Sequence, residues 1–342
     1  MKGKDVVEHK SSKKNIVGIL LLLVLSLVSV GIVFYNRYIH RQVGTTEELI
    51  AQDIENVGVP VAMAMDDNYL YPTIVAITSA MYNADAGTQY SFYIMHPPEF
   101  KEENKEKIRN LEKKYPTCHI HLIDMGGQFK KANDRGHITT PAYYRLALSE
   151  LLVNLDKIIW LDGDTLVLQD LNQMYNIDMT GYYYKGYLDD NVYGAKSFGV
   201  ETDHYICSGV MLVNLKELRD NKMVSKFNKF IAQNNDSLVQ HDQTVINVVC
   251  FDKIGILPPK YGLINYSTTP ELAKQYSDLL IAKNKYTHKD MLDALDDICV
   301  LHCVSKPWKS REAMKADLWW SYARKTDFYG EMKVAYANIF KN

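Results

Sequence analysis

The stretch Ile158-Ile159-Trp160-Leu161-Asp162-Gly163-Asp164-Thr165-Leu166-Val167-Leu168 constrains the fold more than any other part of the chain. Apolar residues press from both sides on two aspartates separated by one glycine. The run is β-branched and too short for an isolated helix, so it reads as a buried strand of an α/β sheet. A buried strand does not carry two carboxylates unless something cationic meets them. Both lie at the strand's end, where open α/β sheets bind ligands. Paired carboxylate oxygens suit Mg²⁺ or Mn²⁺, with phosphate oxygens completing the shell. The plain alternative is a strand end capped by ordinary surface aspartates.

The residues before this strand fit the same architecture. Val59 to Met65 is a short apolar run, read as a strand, and Asp66-Asp67-Asn68-Tyr69 is a polar turn after it. Tyr71 to Met81 has apolar residues at helical spacing, with Pro72 suited to a first turn. Strand, acidic turn, helix opens a nucleotide-binding α/β unit. No glycine-rich phosphate loop is present, which excludes a Walker site and a dinucleotide fingerprint. Asp66 and Asn68 suit either hydrogen bonds to a base and ribose or a cap on the following helix. Ser91–His96 and His119–Ile123 read as further strands, and Lys101–Tyr115 as an amphipathic helix between them. The alternation predicts a mixed, mostly parallel sheet. A polar loop, Gly126 to Ile138, reads as a segment able to fold over a ligand. Thr140 to Leu146 begins a helix whose Arg145 either snorkels to solvent or reaches back to the aspartates.

The N-terminus is of another kind. Ile16 to Tyr35 is an uncharged apolar run, long enough as a helix to span the hydrocarbon core. No clear signal-peptidase site follows, so a retained anchor is expected rather than a cleaved leader. Lys2, Lys4, Lys10, Lys13 and Lys14 precede the run, against Arg37 and Arg41 after it. That bias places the N-terminus in the cytoplasm of a single-pass membrane protein. The predicted organisation is a basic tail (1–15), a transmembrane helix (16–35), a stem (36–58), a catalytic domain (59–311) and an aromatic, basic helical tail (312–342). Leu318-Trp319-Trp320 through Phe328 in that tail suits a membrane surface or a final packed helix equally.

A net charge of −2 argues against a nucleic-acid partner, because phosphate backbones select an excess of basic side chains. Cys118, Cys207, Cys250, Cys299 and Cys303 form no CxxC pair. Cys299 to Cys303 does not read as a zinc site. Strand alternation puts His302 on the face opposite both cysteines.

Six segments together resemble glycosyltransferase family 8, which includes lipopolysaccharide galactosyl- and glucosyltransferases and glycogenin. They are AMDDNY (64–69), TPAYYRLAL (140–148), IIWLDGDTLVL (158–168), CSGVMLVNL (207–215), HDQTVIN (241–247) and LHCVSKPWK (301–309). Order and spacing agree over roughly residues 59 to 330. The resemblance implies a Rossmann-like α/β fold of the GT-A type. It implies UDP-glucose or UDP-galactose as donor, Mn²⁺ (or Mg²⁺) as metal, a glycan or glycolipid acceptor, and retention of the α configuration. Asp162, Asp164 and His302 match the metal ligands. Asp66, Asn68 and Tyr69 match the uridine turn. Arg145 and Lys306 match residues that hold the diphosphate, with Gly163 and Ser208 also on the donor side. Asp242 and Gln243 match the pair lining the sugar pocket, and are the catalytic candidates. Asp189 and Asp190 follow a tyrosine-rich stretch, Tyr182 to Tyr187, and are acceptor candidates beside a plain β-ribbon reading.

Two departures stand out. The family often has Asn where this chain has Cys207, before Ser208-Gly209. Its last motif usually reads H-x-x-G-x-x-K-P-W, whereas His302 and Lys306 here are closer, with no glycine between them. The rival readings are a non-catalytic sugar-binding relative and a haloacid dehalogenase-type phosphatase. The second shares DxDxT, but here α/β structure precedes the motif and no GDxxxD follows. A bacterial inner membrane and a Golgi membrane both fit the N-terminal segment.

Overall fold

The structure, a computed structural model, describes residues 54–129, 140–189, 193–200, 203–238, 240–272 and 286–340. Its frame is a sheet of seven strands and a smaller sheet of three. The strands are β1 (Val59–Ala64), β2 (Tyr90–His96), β3 (Cys118–Asp124), β4 (Lys157–Leu161), β5 (Thr165–Val167), β6 (Tyr184–Leu188), β7 (Ile206–Asn214), β8 (Ile254–Ile256), β9 (Tyr261–Ile264) and β10 (Val300–His302). The large sheet runs β3-β2-β1-β4-β7-β6-β8 and the small one β5-β10-β9. Pairs among β3, β2, β1 and β4 are parallel, β7 is antiparallel to β4 and β6, and β6 pairs parallel with β8. The sheet is therefore mixed and mostly parallel.

Strand parity explains the layers. In β4, Ile159 and Leu161 face one core while Ile158 and Trp160 face the other. The first core packs under helices α1 (Leu70–Tyr82) and α2 (Glu102–Lys114) and takes in the small sheet. The second packs under the 3₁₀ segment Thr140–Ala147 and helices α3 (Met223–Asn234) and α4 (His241–Val249). Both faces of the sheet are covered, as the near-continuous apolar strands require.

Topology then places the site. From β1 the chain runs outward to β2 and β3, and returns to β4 on the other side of β1. Strand order reverses between β1 and β4. The C-terminal ends of these two strands carry Asp66 and Asp162, at the switch point where α/β sheets open a crevice.

The run 158–168 is not one strand. β4 stops at Leu161, the chain turns through Asp162-Gly163-Asp164, and β5 begins at Thr165 in the other sheet. Gly163 is needed there, since a Cβ would meet Thr73 Oγ1 at 2.5 Å. The helix expected from Thr140 is a 3₁₀ segment followed by one α-turn, Leu148–Leu151.

The expectation of a single-pass membrane protein is corrected. Among the described residues no helix is long and apolar enough to cross a membrane. The run 16–35 behind that expectation, with the tail 1–15 and most of the stem, lies outside the described residues. So does most of the loop 126–138. The C-terminal aromatics pack inward. Trp319 and Trp320, on helix α5 (Ala316–Ala323), are buried and pack against Trp308 and Phe340 respectively. All five cysteines are free and buried, and Cys299 and Cys303 belong to the first core.

Candidate active site

Asp162 and Asp164 are held from different directions. The backbone of Asp162 still extends the β4–β7 ladder, its N–H reaching Gly209 O at 2.8 Å. Its Oδ1 accepts from Arg145 Nη2 and from Trp160 Nε1, each at 2.8 Å. Asp164 is buried, and its Oδ2 meets the ammonium of Lys306. Its Oδ1 lies 3.3 Å from His302 Nε2 without a hydrogen bond to satisfy it. Ligand atoms of Asp162, Asp164 and His302 all fall within 4.8 Å of one another.

Charge explains the protonation states. Burial works against the Asp164 carboxylate, but Lys306 and His302 hold it well below the usual carboxylate range. Burial would also lower His302, yet the Asp164 charge and the Cys207 contact push it up to about 10. Lys306 is raised above its ordinary value, because Asp164 outweighs its burial. Burial and the Asp164 charge raise the Tyr69 phenol. The shortened His302–Lys306 spacing thus still brings both side chains onto Asp164. The imidazole is wedged tightly. A Cβ on Gly209 would lie 2.2 Å from His302 Cε1, and Cys207 Sγ sits 3.7 Å from its Nδ1.

Arg145 is buried. Its N–H groups go to Ala142 O, Ser208 O and Asp162 Oδ1. Asp242 Oδ2 lies 3.1 Å from Arg145 Nε, an ion pair without hydrogen-bond alignment, since that N–H points to Ala142. The resemblance gives Arg145 to a diphosphate; its bonds here all go to protein oxygens. Burial raises the Asp242 carboxyl, and Arg145 pulls it partly back. Gln243 is gripped at both ends of its amide. Its Nε2 donates to Asp189 Oδ2 at 2.9 Å, and its Oε1 accepts from Ser208 N at 3.0 Å. Both residues open α4, where buried His241 takes a left-handed φ of 48°. That turn is unusual for a residue with a Cβ and brings the chain sharply into the helix.

At the end of β1, Asp66 caps the turn Asp67–Tyr69, accepting from Asn68 N at 2.9 Å and Tyr69 N at 3.1 Å. The Tyr69 ring meets Trp308 edge-on and lies 6.0 Å from Lys306 Nζ. Asp190 falls outside the described residues.

Sequence reasoning missed two side chains that hold this arrangement. Asn265 binds Ser305 N and O and Met314 O, pinning the loop that carries Lys306. Its only sequence signal is its place just after an apolar run. Trp160 reads as one more apolar strand residue, yet its parity with Asp162 puts the indole on the carboxylate's side.

Residues 60–312 match the family model described as Glycosyl transferase family 8. The chain belongs to glycosyl transferase family 8. General stress protein A of Bacillus subtilis (strain 168) is 26% identical over 251 residues, covering 72% of this chain and 85% of that one. Lipopolysaccharide 1,2-glucosyltransferase of Escherichia coli is 26% identical over 262 residues, 72% of each chain. Among solved structures, the galactosyltransferase LgtC in complex with donor and acceptor sugar analogs has a TM-score of 0.66 at 23% identity. That match covers 80% of this chain and 99% of the other. It shows the fold, GT-A-like with a mixed sheet. As a family 8 member the chain is a glycosyltransferase, and the phosphatase reading falls away.

Proposed function

We propose that the chain transfers a hexose, glucose or galactose, from a UDP-sugar to a hydroxyl of a glycan or glycolipid acceptor, with retention of the α configuration. The carrying observation is the meeting of Asp162, Asp164 and His302 within 4.8 Å. Two carboxylates and an imidazole suit Mn²⁺, with Mg²⁺ the harder alternative. Asp164 Oδ1, buried and without a hydrogen bond, supports the fit of a cation there. When bound, such a cation neutralises charge on a diphosphate leaving group. The names of one relative, a glucosyltransferase, and of one structure of similar fold, a galactosyltransferase, support a hexose without choosing between them.

The chain's own groups take the remaining roles. Asp66, Asn68 and Tyr69, at the end of β1, receive the uridine. The Lys306 ammonium is the mobile positive charge for the diphosphate. Gly163 and Ser208 line the donor side, and Gln243 faces the sugar. Asp189, bound to Gln243, lies toward the acceptor. The acceptor oxygen attacks the anomeric carbon on the face from which UDP leaves. The carbon–oxygen bond to the phosphate breaks, and the hydroxyl proton passes to the departing phosphate oxygen. Burial of Asp242 against Arg145 supports this course over a covalent one, which needs an open carboxylate beneath the sugar.

The test follows UDP release from a panel of UDP-sugars, with Mn²⁺ and with EDTA. One donor is expected to turn over, EDTA to stop it, and Asp164→Asn to lower it by about 100-fold or more. No turnover and no metal-dependent UDP binding would move the chain to a non-catalytic, sugar-binding role.

A further inference from the structure

Trp160 lies in the centre of the large sheet, paired with Ala62 on β1 and Met211 on β7. It is fully buried and belongs to the second core. A buried indole N–H needs an acceptor. Side chains two apart on an extended chain share a face, so the nearest acceptor is the carboxylate of Asp162. The N–H takes it, Nε1 to Oδ1 at 2.8 Å. The same oxygen accepts Arg145 Nη2 at 2.8 Å, and the guanidinium carbon lies 4.4 Å from the indole centroid. One ring therefore does two things. Its edge donates to the carboxylate, and its face supports the cation that donates to the same atom.

With both donors on Oδ1, the plane of the carboxylate is fixed and Oδ2 receives no hydrogen bond from the described residues. We infer that Trp160 is a positioning residue for the cation site: its indole N–H, together with Arg145, locks Oδ1 of Asp162 and presents Oδ2 to a divalent ion. The inference rests on the metal-dependent reading above. A phenylalanine in the same place would fill most of the volume and support Arg145, but leave Oδ1 with Arg145 as its one donor and the carboxylate less firmly oriented. Outer partners of this kind set ligand orientation, and their loss costs about 10- to 100-fold in metal affinity.

The test measures Mn²⁺ binding to the full chain in the presence of UDP, by the loss of the free-ion electron paramagnetic resonance signal. Trp160→Phe is compared with Ile158→Val, a packing change in the same layer and on the same face of β4 that does not touch Asp162. Trp160→Phe is expected to weaken Mn²⁺ binding about tenfold while Ile158→Val leaves it unchanged. Turnover of Trp160→Phe is expected to recover as Mn²⁺ is raised, with kcat near the parent value and the metal requirement shifted. Replacing Trp160 with benzothienylalanine, which keeps the ring and lacks the N–H, is expected to reproduce the shift. Equal binding in parent and Trp160→Phe, or equal losses in Trp160→Phe and Ile158→Val, would overturn the inference and leave the transferase reading standing. A parent chain that binds no Mn²⁺ would overturn both.

Discussion

The aspartates of the turn lie two residues apart, but the cations that meet them come from opposite halves of the molecule. Arg145 approaches Asp162 from the second core, with its side chain 5% exposed. Its nitrogens donate to protein oxygens, and its guanidinium carbon lies 4.4 Å from the Trp160 ring centroid. Lys306 approaches Asp164 from the loop after β10, 23% exposed, on a flexible stem between the rings of Tyr69 and Trp308. A guanidinium used this way is part of the frame. An ammonium at the rim is a charge that a ligand can draw across. The difference teaches that similar charges need not share a job, even around one turn.

The comparison can be broken most forcefully at Arg145. Arg145→Met leaves Asp162 and Asp242 without their buried counter-charge, and is expected to cost about 3–5 kcal/mol of stability, read from the urea midpoint. A loss within experimental error of the parent would remove Arg145 from the frame. Gly209→Ala comes next. Its Cβ would lie 2.2 Å from His302 Cε1, so the ring must move. A cost of about 1–3 kcal/mol is expected, with weakened Mn²⁺ binding. Lys306→Met sharpens the contrast from the other side. Stability should change by only about 1–2 kcal/mol, while UDP-sugar turnover falls about 100-fold. If the unfolding midpoint dropped as far as for Arg145→Met, the two cations would be alike after all.

A further expected effect is one of pH. His302 has an ordinary value of 6.5 and is pushed up to about 10 when no metal is bound. The folded chain therefore holds this proton more tightly than the unfolded one. That stabilisation is complete below about pH 6.5 and is lost as pH rises through about 10. Thermal unfolding of the metal-free chain across this window should show the decline, and His302→Gln should flatten it.

Much of this was legible from the residues. Alternating strands and helices gave the sheet, and six ordered segments gave the family. The run 158–168 looked like one strand because apolar residues continue on both sides of the turn, and periodicity does not register a change of sheet. The Thr140 segment looked helical because a 3₁₀ turn and an α-turn bury similar spacings. Asn265 carried no signal beyond its place after an apolar run, since its partners Ser305 and Met314 lie far along the chain. The two departures in the motifs proved compatible with a closed cluster. Cys207 lies against His302 Nδ1, and the shorter last motif still delivers His302 and Lys306 to Asp164.

Because β4 and β5 belong to different sheets, the turn between them is a seam. Asp162 is tied to the large sheet through Gly209 of β7, while Asp164 binds the N–H of Cys303 beside the small one, to which His302 belongs. Their separation is thus a gauge of how the two sheets are seated on each other. A slip too slight to expose any core residue would register there first, as a change in the spacing of these three side chains. Looseness anywhere along that seam, whether from heat, denaturant or a distant substitution, is therefore expected to silence the site before the fold itself gives way.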